Sequence, residues 1–109
     1  IGDTASNLET AMKEEEEEGV KLYTEAAKVA DEEGFPDTAS HFRAIAEVED
    51  LHRERFARYL KQVKDGTVWK RDHSIKWKCL VCGYIAEGKE PPAVCPGCDH
   101  PYQHYMAMD

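Results

Sequence analysis

Residues 12–23 read MKEEEEEGVKLY, a run of five glutamates, Glu14 to Glu18, set inside a helical pattern. Acidic runs ordinarily form solvated faces. The surrounding apolar period decides how much of this one does. Leu8, Glu15, Leu22 and Val29 recur every seven residues, and Ala11, Glu18 and Glu25 form an adjoining row. That spacing puts Glu15 and Glu18 on the inner side of a helix and leaves Glu14, Glu16 and Glu17 pointing outward or sideways. An inward carboxylate without a partner costs several kcal/mol or takes up a proton, so two of them on the inner side call for something to neutralise them.

The flanking sequence defines two helices. Thr4 is the expected N-cap of the first, which runs through Glu-, Ala- and Lys-rich sequence to Glu33, where Gly34 supplies a stop. Pro36 suits the first turn of a second helix that runs to about Lys64, before Asp65-Gly66. Two long helices joined by so short a turn make an antiparallel hairpin. On the second helix Phe42, Ile45, Glu49, His52, Phe56, Tyr59 and Val63 fall at steps of three and four. Glu49 and His52 are the two members of that stripe unsuited to an apolar core.

The heights agree as well. Counted from the turn, the Glu15/Glu18 pair lies roughly 27 Å along its helix and Glu49/His52 roughly 24 Å along the other, at about 1.5 Å per residue. Four oxygen and nitrogen ligands are therefore expected in one layer. A Glu-x-x-His pair facing glutamates on a neighbouring helix is the ligand pattern of carboxylate-bridged di-iron or di-manganese bundles. Glu25 and Glu47 are expected to be solvated, His41, His73, His100 and His104 to lie on the surface, and Tyr23 either to pack or to donate to the carboxylates.

The last third has a different composition. It holds all four cysteines, both tryptophans and four of the five prolines. WKCLVCGY carries Cys79 and Cys82, and CPGC carries Cys95 and Cys98. Two Cys-x-x-Cys turns facing each other build a tetrahedral four-sulfur site, suited to structural zinc or a single iron. A segment of about 35 residues buries too little apolar surface to fold alone, so the metal is its expected staple. The expected organisation is a helical hairpin over residues 1–65, a linker over 66–76 and a four-cysteine module over 77–109: an α part followed by a small metal-bound β module.

With 22 Asp and Glu against 14 Lys and Arg, the net charge is −8. This disfavours nucleic acid and anionic membrane as partners, because both select basic surfaces. No apolar run approaches the roughly 20 residues of a membrane span, and no signal peptide is visible. Cysteines spaced for metal point to a reducing, cytoplasmic compartment.

DTASNLETAMKEEEEEG, ADEEGFPDTASHFRAIAEVEDLHRERF, and WKCLVCGY followed by CPGC together resemble the C-terminal part of a rubrerythrin, across essentially the whole chain. The resemblance implies half of a ferritin-like four-helix bundle with a di-iron centre, followed by a rubredoxin-like module holding one iron. It implies reduction of hydrogen peroxide to water, with electrons from a reductase entering at the rubredoxin-type iron. By the same resemblance Glu15, Glu18, Glu49 and His52 are di-iron ligands and Cys79, Cys82, Cys95 and Cys98 hold the single iron. Glu18 matches a ligand that leaves its iron on reduction, and Tyr23 matches a tyrosine close to the centre. The family's first two bundle helices are absent from this sequence. A homodimer, another chain supplying those helices, or a longer protein of which this sequence is a fragment is expected to complete the bundle, the homodimer being favoured. The alternatives are a non-enzymatic electron carrier, a zinc-ribbon and hairpin binding module, and iron storage.

Overall fold

The computed structural model describes all 109 residues, which divide into two compact units, Ile1–Lys61 and Gln62–Asp109. The first begins with α1 (Thr4–Glu14), continues without a break through seven residues of π-helix (Glu15–Lys21), and resumes as α2 (Leu22–Glu32). The turn at Gly34 (φ 86°) leads into α3 (Pro36–Asp65). Gly34 is needed there because the left-handed backbone is strained for residues with a Cβ.

Two sequence expectations are corrected. The N-cap is Asp3 rather than Thr4: the Asp3 carboxylate accepts the Ser6 N–H at 2.8 Å, and Thr4 is already helical. That bond holds the Asp3 pKa below its ordinary value.

The second correction concerns the sevenfold row. In a π-turn the hydrogen bonds close five residues apart, so each turn takes up more than the α-helical 3.6 residues and the later positions rotate around the axis. Two turns on from Glu15, the inward position is then Tyr23, eight residues along, rather than Leu22 at seven. Leu22 is 60% exposed and Val29 39% exposed, while Ala27 and Ala30 are buried in their place. Ala27, Ala30 and Ala39 form the core under Phe42, whose ring lies 5.9 Å from that of Tyr23. Small residues at this seam let the helices approach closely.

Gly19 marks the closest approach. It is buried, and a Cβ on it would stand 2.7 Å from Glu49 Cβ and 2.9 Å from Glu49 Cγ. The absent side chain is the room Glu49 occupies.

In the second unit β1 (Ile75–Cys79) is central to a three-stranded antiparallel sheet, paired with β2 (Ile85–Gly88) and β3 (Tyr105–Ala107). A single 3₁₀ turn, Tyr102–His104, precedes β3. The core is Trp77, Cys79, Cys95 and Tyr105, with Trp69, Ile75, Ala86, Cys98 and Ala107 against it. Residues 66–76, expected as a linker, are tied into this module. Trp69 Nε1 donates to the Tyr105 carbonyl at 3.0 Å. Arg71 forms a two-pronged pair with the Asp109 carboxylate at 2.6 and 3.2 Å, and its guanidinium lies 5.4 Å from the Trp77 ring. A small sheet leaves its tryptophan uncovered on one side, and the incoming chain closes it.

Alanine in place of glycine inside a helix ordinarily adds about 1 kcal/mol of stability. Gly19→Ala should instead destabilise by about 1–3 kcal/mol, because the new methyl overlaps the stem of Glu49. A lowered urea midpoint at unchanged slope checks this.

Candidate metal centres

Glu15 opens the π-segment, and Glu49 and His52 lie one turn apart on α3. The three bring ligand atoms within 4.8 Å of one another. His52 Nδ1 is 3.3 Å from Glu49 Oε2 and 3.7 Å from Glu15 Oε1. Glu15 and Glu49 are about three-quarters buried, whereas His52 is 48% exposed. The cluster is therefore walled on the hairpin side and open on the other.

A hydrogen bond to Glu49 raises the Glu15 pKa, with burial and the neighbouring negative charge adding to it, while the same bond lowers Glu49. A divalent cation bound between the two carboxylates would relieve their mutual repulsion and neutralise both.

Ala11, Glu14, Glu15, Glu18, Gly19, Tyr23, Glu49 and Phe56 line an open hollow of about 350 Å³. Glu18 is thus on the wall, but it is exposed and stands outside the three-residue cluster. Tyr23 shares the wall and packs on Phe42. Glu14, read from the sequence as outward or sideways, also reaches the hollow. The residue that sequence reading passed over is Gly19; a lone glycine within a helical pattern was its signal. Glu25, Glu47, His41, His73, His100 and His104 are exposed, as expected.

The cysteine site is complete within the chain. Four Sγ atoms lie within 4.8 Å of one another, with Cys79–Cys98 and Cys82–Cys95 both at 3.7 Å. A tetrahedron with metal–sulfur bonds of about 2.3 Å has edges of about 3.8 Å, so the donors fit one ion. The two knuckles repeat one backbone device. Gly83 N–H closes onto the Cys79 carbonyl and Asp99 N–H onto the Cys95 carbonyl, each at 2.9 Å, and both closing residues have positive φ (86° and 64°).

The thiols divide by environment. The backbone N–H of Cys82 lowers Cys79. Burial pushes Cys95 up, but the Tyr105 hydroxyl and the N–H groups of Gly97 and Cys98 outweigh it and hold the thiol at about 6. The N–H of His100 favours the Cys98 thiolate, yet burial and the three neighbouring sulfurs push it up to about 12. Cys82 is also raised, against the N–H of Tyr84, by burial and by the Cys95 and Cys79 sulfurs. Without a cation the four sulfurs do not all ionise; a bound metal removes that conflict.

A carboxylate–histidine hairpin followed by a four-sulfur ribbon defines a protein with two distinct metal-binding units. Residues 6–79 match the family model described as rubrerythrin, and residues 77–106 match that of the rubrerythrin rubredoxin-like domain. Rubrerythrin-1 of Clostridium acetobutylicum is 46% identical over 99% of this chain and 55% of its own length. Rubrerythrin of Clostridium perfringens is 46% identical over 94% of this chain and 53% of its own. Nigerythrin solved in a mixed-valence state superposes with a TM-score of 0.54 at 25% identity, covering 97% of this chain and 50% of that one.

The chain belongs to the rubrerythrin family and spans about half the length of the relatives it matches. Its architecture is a ferritin-like helical part followed by a rubredoxin-like module. Its cofactors are iron: one ion on the four cysteines, and the family's di-iron centre. No helix is long and apolar enough to cross a membrane.

Cys95→Ser should abolish the ferric-thiolate colour and release the module's core. The readout is a red shift of tryptophan fluorescence, because Trp77 is fully buried beside Cys95. The far-UV helical signal of the hairpin should persist.

Proposed function

We propose that this chain forms an iron peroxidase of the rubrerythrin type, which reduces hydrogen peroxide to water. The observation that carries the reading is the presence in one chain of both sites, the Glu15–Glu49–His52 cluster and the four-sulfur cage. Peroxide takes two electrons and two protons to give two waters, and a pair of ferrous ions supplies one electron each. The four cysteines receive electrons one at a time from a reductase. At the hairpin, Glu15 and Glu49 would hold the metal pair and neutralise its charge. His52 would supply an imidazole nitrogen to one metal. Glu18, on the wall of the hollow, is a carboxylate free to turn inward as metal charge changes. Tyr23 contributes a phenol to the same wall.

One hairpin carries half of a di-iron ligand set. Two copies related by a two-fold axis hold two Glu-x-x-His pairs and two facing glutamates, which is the full set. The half-exposed His52 and the exposed Leu22, Val29, Val48 and Leu51 support such pairing. A net charge of −8 suits a reductase that docks through a basic patch. Thiolate-bound iron suits the reducing cytoplasm.

Anaerobically purified protein should be a dimer with two irons per chain, one on the cysteines and one from the shared centre. Added peroxide should reoxidise the ferrous protein. Glu49→Gln should slow peroxide consumption by at least about tenfold while the red colour remains. One iron per chain with no response to peroxide would leave an electron carrier. One zinc per chain would leave a docking module. A stable monomer that binds bundle iron only when the family's first two helices are supplied would assign completion to another chain.

A further inference from the structure

We infer that the Tyr105 hydroxyl is a hydrogen-bond donor to a thiolate of the four-cysteine cage, and that this bond sets the redox balance of the iron held there. Tyr105 opens β3 opposite Cys79 on β1, and its side chain is 3% exposed, in one cluster with Trp77, Cys79 and Cys95. The hydroxyl oxygen is sealed from solvent and has no well-formed hydrogen bond within the protein. A buried hydroxyl in that state is costly, and phenylalanine would fill the same space without the cost. The chemistry beside it supplies the missing acceptor. A thiol sulfur is a weak acceptor, whereas the metal-bound thiolate carries charge. The buried cluster that holds the phenol contains the Cys79 and Cys95 sulfurs.

Four thiolates around ferric iron carry one net negative charge, and around ferrous iron two. A donor aimed at one sulfur stabilises the more negative, ferrous form. No proton moves; one electron is exchanged, supplied in the test by an electrode. The role is tuning, exerted through a cage sulfur, and it does not depend on the chemistry assigned to the hairpin.

The test is Tyr105→Phe in the full iron-loaded chain, followed by spectroelectrochemical titration. At a fixed applied potential the ferrous-to-ferric ratio should fall by more than about threefold, where tenfold corresponds to ~59 mV. The sulfur-to-iron charge-transfer bands should move to longer wavelength, since the sulfur loses a donor. A ratio within about threefold of wild type, or a change in the opposite sense, overturns the inference. If the variant fails to take up iron, the cadmium-loaded wild-type chain decides. Scalar coupling between the Tyr105 hydroxyl proton and the metal nucleus is expected, and its absence overturns the assignment.

Discussion

Mutual repulsion among closely held anionic ligands governs both units of this protein. Glu15 is pushed up while Glu49 is held down, and among the four thiols two are driven toward ionisation and two away from it. Neither arrangement would be favourable as a bare assembly of anions. Each becomes favourable once a cation is bound, so metal affinity and structural stability are the same free energy seen twice. The module depends on it most, because its core of Trp77, Cys79, Cys95 and Tyr105 includes two of the metal ligands. Metal ligation and apolar packing there are carried by the same side chains.

In the hairpin the equivalent constraint is spatial. The π-segment and Gly19 act together: one turns the helix face so that Tyr23, Ala27 and Ala30 face α3, and the other removes the side chain that would collide with Glu49. π-segments inside α-helices occur often at functional sites, and here the segment begins at a ligand. An uninterrupted α-helix would instead have presented Leu22 and Val29, adding apolar contact within the hairpin and moving Tyr23 off the wall of the hollow. The sequence trades intramolecular burial for a polar, accessible pocket beside paired carboxylates.

That trade leaves an unusual surface. Leu22, Val29, Phe35, Val48 and Leu51 remain exposed, and an open apolar hollow of about 420 Å³ lies among Leu22, Ala26, Val29, Ala30, Phe35 and Phe42. A bundle buries apolar stripes on every helix; a hairpin buries only one side of each. The open edge of the metal cluster and the exposed apolar residues are two aspects of one incompleteness, which a partner would satisfy together.

Much of this was legible in the sequence because it rests on local rules. Cys-x-x-Cys spacing dictates the knuckles, Gly34 and Pro36 dictate the turn, and Glu49 with His52 breaks an otherwise apolar stripe at a step of three. Equal distance from the turn sufficed to bring Glu15 to the same layer. What the sequence did not disclose depends on how elements press on one another. The π-segment has no compositional mark beyond Gly19, since its hydrogen-bond shift is selected by packing against α3, and a sevenfold count carried through it names Leu22 and Val29 instead of Tyr23 and Ala30. Residues 66–76 read as a linker, yet Trp69 and Arg71 cover the module because a three-stranded sheet cannot enclose Trp77 alone. The buried Tyr105 hydroxyl could not be read from spacing, because only the pairing of β3 with β1 brings a tyrosine near the end of the chain into the core that Cys79 and Cys95 share.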